Sequence, residues 1–359
     1  MGETKPLPAA RVRAYAAVGA QLSLLSDRRL GDAVAAAPAL GSGIGGRRAA
    51  MEVAGIPVFV KRIPLTDIEL RPEYVRSTAN LFELPLYYQY GVGSAGFGAW
   101  RELAAHVMAT AWVLQGEFPG FPLMYHWRVL PDRPPADFAD AFGGVEGAVA
   151  HWEGSPAVRH RLEAIGTSSF SLVLFLEHVP HTLAAWISTT GEAGGTEPGG
   201  DSTYLWAEDA LLRGTEFMRS RELVHFDAHF GNVLTDGQQV YFADFGLALS
   251  RHFELSAQEA AFLSDHLVYD RCYMPWHLLR HHLPATVRGD AELGTFLREW
   301  TAGRRPDGVP PGIAAIIDRH APHALVMDAF AHRLVTESKR TPFPAAEIRE
   351  ALASTSARG

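Results

Sequence analysis

Apolar and polar positions along this chain of 359 residues follow two periods, one of strands and one of helices, and the switches between them mark the elements. Residues 8–30 are rich in Ala and Leu with scattered arginines and read as one amphipathic helix ahead of the main fold. Strand-like runs follow at Arg47–Val53 and Ile56–Arg62 around the pair Ala54-Gly55. From Ala99 to Gln115 the period becomes helical, with Leu103, Val107, Ala111 and Leu114 on a stripe expected to face a core. Residues 121–130 and 169–177 read as strands, and Thr203–Arg219 as a helix. Apolar residues on either side of Thr235-Asp236-Gly237, a turn composition, predict a hairpin running from Asn232 to Ala243. Ser256-Ala257-Gln258-Glu259 is a capping box, and 257–355 reads as helical segments broken at Pro275, Pro284, Pro310, Pro311 and Pro344. Between these elements, 63–98 and 131–168 are long insertions, and 188–202 has no apolar content to bury and reads as a surface loop.

Composition narrows the class. Hydrophobic content of 47% and charged content of 20% are those of a globular protein with a sizeable core. With 32 basic against 40 acidic residues the net charge is −8, which argues against a general nucleic-acid binder, because phosphate neutralisation needs a basic surface. Cys272 is the single cysteine, so no internal disulfide forms and a reducing, cytoplasmic setting is expected. No run of about 18 apolar residues predicts a membrane span.

Two short acidic motifs flank the hairpin. His225-Phe226-Asp227 is followed by Asn232, and Asp244-Phe245-Gly246 stands at the far end. A hairpin brings its ends together, which would set Asn232 beside Asp244 as oxygen ligands for Mg²⁺, a hard cation that takes few protein ligands. Upstream, Gly41, Gly43 and Gly46 form G-x-G-x-x-G, and Val58-Phe59-Val60-Lys61 follows, with Lys61 fifteen residues after Gly46. These motifs resemble those of the protein-kinase-like superfamily, whose patterns are H-R-D-x-x-x-x-N, D-F-G and V-A-I-K. The resemblance covers roughly residues 39–270.

It implies an α+β, bilobal fold. An N-terminal helical extension (1–33) would precede a small β-rich N-lobe with helix C (34–178) and a larger, mostly helical C-lobe (179–359). It also implies an ATP- and Mg²⁺-dependent kinase. Asp227 would be the base, Asn232 and Asp244 the metal ligands, and Lys61 with Gly41, Gly43 and Gly46 the clamp on the phosphates. Glu102 would orient Lys61, and backbone groups of Glu177 to Val179 would bond the adenine. Read without the family, Glu102 is a solvated helix acid, and Glu83, the alternative partner, sits two residues before Pro85.

The family pattern is not followed throughout. Arg48 stands where the family has valine, Phe226 replaces the arginine that holds a phosphorylated loop, and the capping box leaves no room for a long activation segment. Hence no activation by loop phosphorylation is expected. His225 is read as a brace for the loop. His229 stands where protein kinases carry lysine and small-molecule phosphotransferases carry histidine. The Asp-Phe-Gly-Leu-Ala run and the hinge favour Ser/Thr of a protein or peptide as acceptor; His229 favours an aminoglycoside- or choline-type small molecule. A pseudokinase scaffold is the alternative without turnover. No nucleic-acid or membrane partner is expected.

Two further motifs have competing readings. Gly91, Gly93 and Gly96 form a second G-x-G-x-x-G ahead of a helix, with Glu117 downstream, as in dinucleotide sites. The preceding segment with Pro85 is a poor buried strand for that purpose. His277, His281 and His282 have metal-ligand spacing but no partner cysteines or paired acids.

Overall fold

The computed structural model describes residues 9–43, 46–91, 93–135, 137–193 and 201–356. The first eight residues of the N-terminal extension, Ile44 and Gly45 of the first glycine loop, Val92 of the second, and 194–200 of the expected surface loop lie outside the described residues. The fold is α+β, and the chain divides into two compact units, Met1–Val179 with Asp244–Ala260, and Pro180–Ala243 with Ala261–Gly359.

In the first unit, the expected single N-terminal helix is two, α1 (Ala9–Ser23) and α2 (Asp27–Ala36). Ser26 ends the first reading because its side chain accepts from Arg29 N–H and caps a new helix. Strands β1 (Ala39–Gly43), β2 (Gly46–Val53) and β3 (Ile56–Leu65) follow, then α3 (Ala99–Leu114), β4 (Met124–Pro131), α4 (Val145–His151), α5 (Pro156–Gly166) and β5 (Phe170–Glu177). The sheet order is β1-β2-β3-β5-β4, and every pairing is antiparallel. Leu172, Leu174 and Leu176 alternate along β5 and meet Ile63, Leu65 and Met124 in a core that also takes Ala99, Trp100 and Leu103 of α3.

The two insertions are each other's partners. Phe82, Leu84, Tyr88 and Phe97 from the first pack on Ala148 and Val149 of α4, Trp152 just after it, and Val158 and Leu162 of α5 in the second. Buried Glu69 ties them to α3. Its carboxylate meets Arg161 at 2.8 Å and accepts from Ala99 N–H at 2.7 Å, supplying the carboxylate cap that Gly98 lacks. Burial disfavours that charge, but Arg161 and Thr66 outweigh it and hold the carboxyl below the usual range.

The second unit opens with β6 (His181–Thr182), α6 (Leu183–Ala193) and α7 (Ser202–Ser220). Residues 188–193 are therefore helical, not loop: Ser188 and Thr189 bond back to the carbonyls of Ala184 and Ala185 and continue the turn. Next come β7 (Leu223–Val224), β8 (Val233–Thr235) and β9 (Val240–Phe242), with β6-β8-β9 forming a sheet. The segment Asp244–Ala260, grouped with the first unit, carries β10 (Leu249–Ser250) and the start of α8 (Ala257–His266). The remainder is α9 (Tyr269–His281), α10 (Ala285–Arg288), α11 (Leu293–Thr301), α12 (Pro311–Thr336) and α13 (Ala345–Ser356). Pro275 does not break its helix but lies inside α9, while Pro311 opens α12, where a missing N–H costs nothing.

The expected core stripe of α3 is corrected. Leu103 is buried, but Val107 is 41% and Leu114 38% exposed, and the helix instead buries Trp100, Arg101, Glu102, Ala105, His106, Ala109 and Val113. Leu103→Ala should therefore lower stability by about 2 to 5 kcal/mol, and Val107→Ala by less than about 1 kcal/mol. Denaturant midpoints of the two variants check this, and equal losses would contradict the observed helix face.

Candidate active site

Lys61 lies on β3, the strand hydrogen-bonded on one side to β2 and on the other to β5. It is only 5% exposed, and a buried ammonium requires partners. Its Nζ has two, Glu102 Oε1 at 2.6 Å and Asp244 Oδ1 at 2.7 Å. Burial disfavours the ammonium, yet the two carboxylates more than offset this and hold its pKa above the ordinary lysine value. Glu102 stands in the first turn of α3, so the position of that helix sets the length of the pair. Glu83, by contrast, is exposed in an irregular segment at φ 52°.

Asp244 has φ 64°, a left-handed conformation uncommon for a non-glycine residue. Its neighbours hold it there. Phe245 is fully buried, its ring 5.0 Å from that of His106 on α3 and 5.9 Å from Phe121. Gly246 packs its carbonyl against Gly96, where a Cβ would collide with it. This contact gives the second glycine motif a packing role: Gly93 is pressed against the Phe142 ring and Gly96 against Gly246. The preceding segment forms a 3-10 turn at Leu86–Gln89, so the strand that a dinucleotide site needs is not there. In the first motif, Gly41 and Gly46 both have φ 117°, and a Cβ on Gly46 would strike the Arg62 carbonyl; Gly43 ends β1.

At the end of β5, the Glu177 N–H donates to Leu123 O at 2.8 Å, and the Glu177 carboxylate pairs with Arg11 of α1 at 2.6 Å. Of the backbone groups expected to meet a base, that amide is already used, whereas Val179 makes no backbone hydrogen bond among the described residues.

In the second unit, β8 and β9 form the expected hairpin, pairing Val233 with Phe242 and Thr235 with Val240. Asp236 Oδ1 accepts from Gln238 and Gln239 N–H, both at 2.9 Å, and Gly237 takes φ 83°, which closes the turn. Pairing extends one step further, Ala243 N–H donating to Asn232 O at 3.0 Å, and Asp244 follows directly in the chain. The Asn232 side-chain amide donates to both the carbonyl and Oδ2 of Asp227, each at 3.0 Å. With its nitrogen committed, Asn232 has Oδ1 to offer a hard cation. Asp244 has a side chain 41% exposed and also offers oxygen. Taken singly, each is the kind of oxygen ligand that Mg²⁺ accepts. Among the described residues no group of three or more His, Cys, Asp or Glu is placed to hold a metal.

The loop bearing Asp227 is braced from below. His225 is fully buried with Nε2 2.9 Å from Ala243 O, as a brace requires. Phe226, at φ 63°, is buried against Phe262, His266 and Tyr269. His229 accepts from Gly231 N–H through Nδ1 at 3.1 Å, and its ring lies 6.4 Å from His277.

One residue of this site was missed in the sequence. Asp270 on α9 accepts the N–H groups of His225 at 2.6 Å and Phe226 at 3.1 Å, fixing the strained turn just before Asp227. An acid in the first turn of a helix is ordinary in sequence, and nothing in the spacing pointed to it. Compared with known proteins, the chain matches no protein-family model and no curated protein.

Burial pushes the Asp270 carboxyl up to about 7, against the two N–H donors that pull it down. Because its folded pKa lies above the unfolded value, the folded state holds the proton longer, and stability from this group falls as pH rises from about 4 to about 7. Asp270→Asn removes this dependence. Thermal unfolding should therefore show the advantage of wild type over Asp270→Asn shrinking from pH 5 to pH 8, by at most about 1.4 kcal/mol per pH unit; a gap that widens would refute the buried, proton-retaining carboxyl.

Proposed function

We propose that this chain is an ATP- and Mg²⁺-dependent phosphotransferase of the protein-kinase-like kind, with its two units as the two lobes, acting on a hydroxyl of a protein or peptide, Ser or Thr. The observation that carries this reading is the buried Lys61 ammonium joined to both Glu102 and Asp244. An ammonium so held is an oriented point charge for phosphate oxygens and does not titrate near neutral pH. When bound, Mg²⁺ and ATP supply the transferable phosphoryl group and neutralise its charge.

The chain's own residues do the rest. Asp227 takes the proton of the acceptor hydroxyl, and its carboxylate is oriented for that task by the Asn232 amide. Asn232 and Asp244 offer metal oxygens, and Asp270 with His225 keeps the loop in one conformation. A second reading, a small-molecule acceptor, is favoured by His229, whose ring sits beside Asp227 in sequence and is fixed by its bond to Gly231.

Asp227→Asn should reduce transfer of the terminal phosphate of labelled ATP by about 10²- to 10⁴-fold while leaving binding of Mg²⁺-ATP within about threefold. The assay sets a Ser/Thr peptide mixture against a panel of amino alcohols and aminated sugars. Unchanged transfer by the variant removes Asp227 from the chemistry. Wild type that binds nucleotide but labels neither set supports a scaffold without turnover.

A further inference from the structure

Beside Glu102 on α3 stands Arg101, one of the most deeply buried charged side chains in the chain at 1% exposure. Its Nη2 donates to Glu259 Oε1 at 2.6 Å and its Nε to the Thr78 carbonyl at 2.6 Å, and the guanidinium lies 5.2 Å from the Phe97 ring and 5.7 Å from Phe253. Glu259 is the capping-box acid of α8. Its other oxygen accepts from Ser256 N–H and Oγ, both at 3.0 Å. Thr78 closes the circuit, its hydroxyl accepting from Glu254 N–H at 2.8 Å. All these groups belong to the first unit.

This arrangement is a poor route to stability. Burial works against the guanidinium and lowers its pKa in spite of Glu259, and Arg101 Nη1 is buried with no partner among the described residues. What a buried ion pair of this kind contributes well is register, since the fork and the carboxylate fit in one geometry only. The register it fixes is that of α3 against the segment that begins Asp244-Phe245-Gly246, the two pieces that bring Glu102 and Asp244 to Lys61.

We propose that Arg101 and Glu259 are positioning residues that latch α3 to the segment following Asp244, so that the Lys61, Glu102 and Asp244 cluster is assembled with no covalent modification of the chain. This rests on the phosphotransferase reading only where turnover is the readout. Glu259 belongs to the chain itself, and its contact with Arg101 is present in the unmodified polypeptide.

The test uses the full chain, verified by mass to be unphosphorylated, as wild type, Arg101→Met, Arg101→Lys and Glu259→Gln. Amide hydrogen exchange comes first because it needs no activity. The latch predicts exchange about tenfold faster across the first turns of α3 and across 250–260 in Arg101→Met, with α12 unchanged. Uniform acceleration in all elements, or none, overturns it. ATP turnover per folded molecule should fall about tenfold or more in Arg101→Met and Glu259→Gln. Arg101→Lys, which keeps the charge and loses the fork, should fail to rescue. In a Glu102→Gln background the same Arg101→Met change should cost less than about twofold more, because Arg101 acts through Glu102. An equal loss in both backgrounds makes Arg101 merely structural, and turnover that appears only after phosphorylation overturns the latch. A wild type with no turnover defeats the phosphotransferase reading alone, since exchange still decides the latch.

Discussion

A single buried ammonium with two carboxylates organises the first unit. Lys61 reaches Glu102, 41 residues away, and Asp244, 183 residues away, and neither contact survives unless the sheet, α3 and the returning segment are all in place. One ammonium meets both carboxylates. Glu102 is as buried as Lys61, whereas the Asp244 side chain is 41% exposed and within reach of water. The same cluster that makes the fold specific thus includes a partly exposed carboxylate, the kind of group a hard cation takes as ligand.

Features that look peripheral in the chain converge on this cluster. The two insertions bury their apolar faces in each other, and Glu69 from the first caps α3 while pairing with Arg161 from the second. Gly96 lets the backbone of Gly246 come close enough for Phe245 to pack against His106. In the second unit, the hairpin and the Asp270 carboxylate do the corresponding work for Asp227 and Asn232.

Locally determined features were legible in the sequence. The β2 and β3 strands, the β8–β9 hairpin with its Thr235-Asp236-Gly237 turn, and the Ser256–Glu259 capping box depend on neighbours a few residues apart, and the structure has them. The face of α3 was not legible, because a helix buried on more than one side is apolar around most of its circumference and offers several stripes of equal period. Pro275 was misread as a break because the propensity penalty is set against tertiary packing that the sequence does not display. Asp270, Arg101 and Glu259 owe their roles to partners 44 to 158 residues distant, and no local pattern marks such contacts. Of the expected site residues, the structure brings Lys61, Glu102 and Asp244 together in one unit and Asp227 with Asn232 in the other.

The most direct measurement is a calorimetric titration of ATP into wild type and Asp244→Asn, each with and without Mg²⁺. If Asp244 is the metal-bearing member of the Lys61 cluster, wild type binds ATP about tenfold or more tightly with Mg²⁺ present, and the variant, which keeps the Lys61 to Glu102 pair, loses that dependence. Wild type that binds no ATP, or binds it equally with and without Mg²⁺ in both proteins, would contradict the central claim.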